Sequence, residues 1–109
     1  MSLDIHCAKS AKQAASSYPV ISIEYAEHEI LFQRHLGILG QSQCKLLMRL
    51  HDFYADAAFA NPELPAFLSE LVTLEGKLAE APAKRLVSDL ASVVRTAIND
   101  GNSMFAFCD

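Results

Sequence analysis

A chain of 109 residues with a formal charge of −4 makes a single domain, long enough to bury roughly two thirds of its unfolded surface without disulfide or metal support. Its nine Lys and Arg are scattered, so no cationic face exists to neutralise phosphates, which excludes nucleic acid and anionic membrane as primary partners. Apolar residues make up 51% while Gly and Pro number only four each, a helix-favouring balance that predicts an all-α fold: a compact bundle of four or five short helices, mostly antiparallel neighbours.

Residues 1–20 read as a weakly helical or loose N-terminal arm, with Asp4 as a cap and Tyr18-Pro19 as a break. Residues 21–101 read as the bundle core. Ser22 is placed as the N-cap of a helix running to Gly37 or Gly40, with Glu24 and Glu27 favouring its positive end. A helix over residues 42–60 is expected from Leu46, Leu50, Phe53 and Ala57 at helical spacing. Asn61-Pro62 stops it and starts the next, whose stripe is Leu64, Phe67, Leu68, Leu71, Leu74 and Leu78. The last helix begins near Pro82, carries Leu86, Leu90, Val93, Val94 and Ala97, and ends at Asn99-Asp100-Gly101. Residues 102–109 form an apolar C-terminal tail that docks on the bundle or on a partner chain.

The stretch Glu24–Leu39 carries the densest chemistry. At about 100° per residue, Glu24, His28 and His35 project in nearly one direction, flanked by Tyr25, Phe32, Leu36 and Leu39 on one side and by Leu31 and Ile38 on the other. Glu75 sits in the same anomalous way among Leu68, Leu71, Val72 and Leu78. A carboxylate and imidazoles facing inward are how bundles hold metals, so Glu24, His28, His35 and Glu75 form a candidate site for a divalent cation. The plainer reading is a polar seam in which each histidine makes one hydrogen bond. The Glu-x-x-His spacing of di-iron bundles and the His-Glu-x-x-His of zincins are both absent. Tyr25, Phe32, Phe53 and Tyr54 are a candidate pocket lining for a small molecule.

Cys7, Cys44 and Cys108 are odd in number and show no CxxC spacing, which argues against a disulfide framework and predicts reduced thiols in a cytoplasmic protein. No secretory signal is visible, and no apolar stretch approaches the ~18–20 residues of a membrane span. Neither a nucleophile elbow nor a Gly-rich phosphate loop is present, so no cofactor is implied beyond the metal and no reaction is named. The expectation is a non-enzymatic interaction or regulatory module acting through a protein–protein surface as a homodimer. Its alternative is a metal-binding or sensory bundle using the Glu/His cluster.

Overall fold

The structure is a computed structural model that describes residues 1–108. It corrects the all-α expectation: 57% of the chain is helical and 19% lies in strands, which form one four-stranded antiparallel sheet. The strands are β1 (Ser2–Ala8), β2 (Ile21–Glu24), β3 (Ala57–Phe59) and β4 (Ser103–Cys108), in the order β2-β1-β4-β3. The helices are α1 (Ala11–Ala15), α2 (Tyr25–Glu29), α3 (Leu36–Gln41), α4 (Leu64–Lys77) and α5 (Ala81–Asp100). A π-helical turn, Ile30–Arg34, joins α2 to α3, and 3₁₀ turns cover Leu47–Leu50 and Asn61–Glu63.

The two terminal segments are the centre of this sheet. β1 pairs with β4 from Leu3 opposite Cys108 to Ala8 opposite Ser103. The arm and the tail expected from the sequence are therefore the two inner strands. Side chains alternate across a strand, so Leu3 and Ile5 of β1, Ile23 of β2, Phe59 of β3, and Met104 and Ala106 of β4 go inward, each at most 1% exposed. Asp4, His6, Phe105 and Phe107 lie on the opposite face, where His6 meets Phe107 at 5.1 Å between ring centroids. Ser17, after α1, folds over the same end and brings its hydroxyl 3.2 Å from His6 Nδ1.

The long helices form the second layer, as the 19 Å thin dimension of the molecule accommodates. Both arise where their sequence stripes place them. α5 buries Leu86, Leu90, Val94 and Ala97, and α4 buries Leu64, Phe67, Leu71 and Leu74. Phe67 stacks on Phe59 at 4.5 Å, which ties α4 to the β3 edge. Gly101 ends α5 in the left-handed region, at φ 68°. That edge is blunted by Arg49, which donates to the Ala58 carbonyl at 2.9 Å and forks onto both oxygens of Glu63. The Arg49 hydrogen bonds pull the Glu63 carboxyl down to about 2.

The helix expected over residues 42–60 is absent. Its segment is a 3₁₀ turn, a loop and β3. Glu70 of α4 accepts the Leu46 and Leu47 N–H groups at 3.1 Å, capping the turn, Asp52 draws the following backbone into a loop by accepting the Tyr54 N–H, and Asp56 accepts the Cys108 N–H of β4 at 3.0 Å. Gln43 takes a left-handed φ of 53° at the turn into this region.

Candidate functional site

β2 hands directly over to α2 at Glu24, whose N–H donates to the Glu27 carboxylate at 3.1 Å. The helix that follows places Tyr25, His28 and Glu29 on one side, at i, i+3 and i+4. The loop after Leu50 brings up the opposing wall, His51, Asp52, Phe53 and Tyr54. Its turn is set by Asp52 Oδ1, which accepts the Tyr54 N–H at 2.9 Å. Together with Gln33 from the π turn, these residues enclose a recess of about 260 Å³.

The floor is an aromatic cluster. Phe53 is 3% exposed and meets Tyr25, Tyr54 and His28 edge-on, at 5.3, 5.4 and 5.1 Å. Phe32 lies against His28 at 4.5 Å. Tyr25 and Tyr54 themselves remain 49% and 63% exposed, held from below by a buried ring.

His28 is the one buried polar group of the recess, at 4% exposure. Its Nε2–H donates to the Leu50 carbonyl at 2.6 Å, which fixes the tautomer and leaves Nδ1 as an acceptor. Among the described residues no buried side-chain nitrogen or oxygen lacks a partner, and His28 is among the residues that line the recess. Burial pushes the His28 pKa below its ordinary value, and His51 adds to the effect. The Leu50 hydrogen bond and Asp52 oppose it.

The four residues of the expected cation site go to separate places. Glu24 is exposed at the start of α2. His35 turns away from His28: its Nδ1–H donates to the Ile30 carbonyl at 2.9 Å, and Nε2 stands 3.5 Å from Glu80, which also holds Arg34 at 2.8 Å. Glu75 lines a surface groove with Lys84 and Arg95. Among the described residues no three His, Cys, Asp or Glu side chains are grouped to hold a metal ion. Of the expected pocket lining, Tyr25, Phe53 and Tyr54 line the recess, and Phe32 supports it through His28. Glu29, Gln33, His51 and Asp52 join them, though helical spacing through residue 57 points Asp52 elsewhere. The readable signal was Asp52 itself, two residues before Tyr54, where an Asx turn ends a helix.

A second, more open depression of about 550 Å³ lies between α3 and the Leu47–Leu50 turn, lined by Leu39, Cys44 and Met48. Burial and then Glu70 raise the Cys44 thiol, while Lys77 opposes them. A raised thiol is a poor nucleophile at neutral pH. Among the described residues no helix is long and apolar enough to cross a membrane. A scan against protein-family models, a search of curated proteins and a search of solved structures each return no match.

Proposed function

We propose that the protein is an interaction module that docks a protein partner through the recess beside His28. One observation carries the reading: two half-exposed tyrosines are pre-positioned on a buried phenylalanine around an opening the size of a side chain. Rigid aromatic anchors supply contact area at low entropic cost and recur as interface hot spots. A volume of about 260 Å³ accommodates a single inserted side chain. The free thiols of Cys7 and Cys44 suit a reducing compartment, and we place the module's action in the cytoplasm. Self-association, expected from the apolar excess, would need another face, because Glu29 and Asp52 would repel their own copies across this one.

Site-specific photo-crosslinking in the native host tests this reading. A photoreactive phenylalanine at Tyr25 or Tyr54 is expected to give one discrete adduct with the same partner, identified by mass spectrometry. The same probe at Val72, as exposed on α4 as Tyr25 is on α2, is expected to give none. Adducts of equal yield at all three positions, or only with a second copy of this chain, overturn the proposal.

A further inference from the structure

The geometry points to an arginine side chain as the occupant of the His28 recess, a step that rests on the docking reading above. In the recess, His28, Asp52 and Glu29 supply acceptors, beside the Gln33 amide, the His51 imidazole and two tyrosine hydroxyls, which can also donate. His28 has spent its only proton on the Leu50 carbonyl, so Nδ1 presents a lone pair. Asp52 uses Oδ1 on the Tyr54 N–H and keeps Oδ2. Glu29 adds a solvent-facing carboxylate on the same side of α2 as His28. Tyr25 and Tyr54 contribute ring faces, which attract cations. No Lys or Arg lines the recess to neutralise this set.

The acceptors differ in kind, and that difference selects the guest. An ammonium group satisfies the carboxylates but presents no plane. A guanidinium stacks on tyrosine rings, spans two carboxylates with its fork and still has an N–H left for an imidazole nitrogen. The imidazole makes the recess more than an acidic patch: it belongs to a residue only 4% exposed, and its Nδ1 is an acceptor fixed in direction by the Nε2–H bond to Leu50 on the far side of the ring. A guest without an N–H or O–H leaves Nδ1 unsatisfied. The overall charge of −4 would draw such a cationic partner toward the surface before contact.

Nuclear magnetic resonance titration of the full chain with argininamide, lysinamide and the uncharged isostere citrullinamide tests the inference. Argininamide is expected to give saturable shifts confined to Tyr25, His28, Gln33 and Tyr54. Citrullinamide is expected to bind about tenfold more weakly, the loss of roughly one charge-assisted hydrogen bond. A Glu29→Gln/Asp52→Asn variant, altered only at exposed positions, is expected to reduce the argininamide response by a similar factor with an unchanged fold. Equal binding of citrullinamide, or shifts spread over the whole surface, overturns the arginine assignment. If that happens while the Tyr25 and Tyr54 crosslinks persist, the occupant is wrong and the docking site stands. If both are lost, both proposals fall.

Discussion

Burial of His28 against Phe32 and Phe53 makes the folded state prefer it neutral, although its hydrogen bond to the Leu50 carbonyl favours the charged form. Its folded pKa lies below the unfolded value of 6.5, and the groups around it are His51, which lowers it further, and Asp52, which raises it. The unfolded chain therefore binds the proton first. Stability is complete above 6.5 and declines as the pH falls from there toward the folded pKa. Glu63 behaves with the same sign in a lower window: its folded carboxyl titrates at about 2 against an ordinary 4.5, so its contribution is present above 4.5 and is lost between the two. Urea midpoints measured from pH 8 to pH 3 are expected to fall in two stages. A His28→Gln variant, whose amide can still donate to Leu50, should flatten the first stage, and Glu63→Gln should flatten the second. A single-stage decline that neither substitution alters would contradict both assignments.

Elements succeed or fail in the sequence according to whether local pattern and tertiary setting agree. α4 and α5 carry long stripes, proline starts and, for α5, a glycine stop, and both form where read. β1 does alternate, with Leu3 and Ile5 on the helix side and Asp4 and His6 on the other face, where His6 is itself covered, but an alanine-rich neighbour makes the run look helical. β4 conceals its alternation because both faces are apolar, with Met104 and Ala106 inward and Phe105 and Phe107 outward. The segment 42–60 has helical spacing that Asp52, Asp56 and Glu70 override through side-chain bonds to backbone. Of the candidate site, the aromatic residues were legible because large rings cluster wherever they are buried. The Glu24, His28 and His35 part of the cation cluster assumes one straight helix, which the strand Ile21–Glu24 and the π turn at Ile30–Arg34 break in two places. The joint between α5 and β4 offers a test at this scale. Gly101 sits at φ 68° with Lys9 Nζ 3.3 Å from where a Cβ would be, so Gly101→Ala is expected to cost about 1 kcal/mol in chemical denaturation. A change below a few tenths would show that the αL joint tolerates a side chain.

At the level of the whole molecule, the sheet order β2-β1-β4-β3 joins the two ends of the described chain in its middle. Truncation after Gly101 removes β4, strips β1 and β3 of their shared neighbour and uncovers the core side of α5. The shortened chain is expected to lose cooperative unfolding by calorimetry and dispersed amide resonances; a native-like spectrum would refute the central role of β4. Asn61 adds a second fastening, its side chain donating to the Asn102 carbonyl at 2.9 Å and its N–H to the Ser103 hydroxyl at 3.0 Å. The same clasp has a temporal meaning during synthesis. While the ribosome is still making residues 103–108, β1 has only β2 beside it, and two apolar helices wait without the strand that closes over them. The newborn polypeptide thus cannot complete its sheet until residues 103–108 have been made.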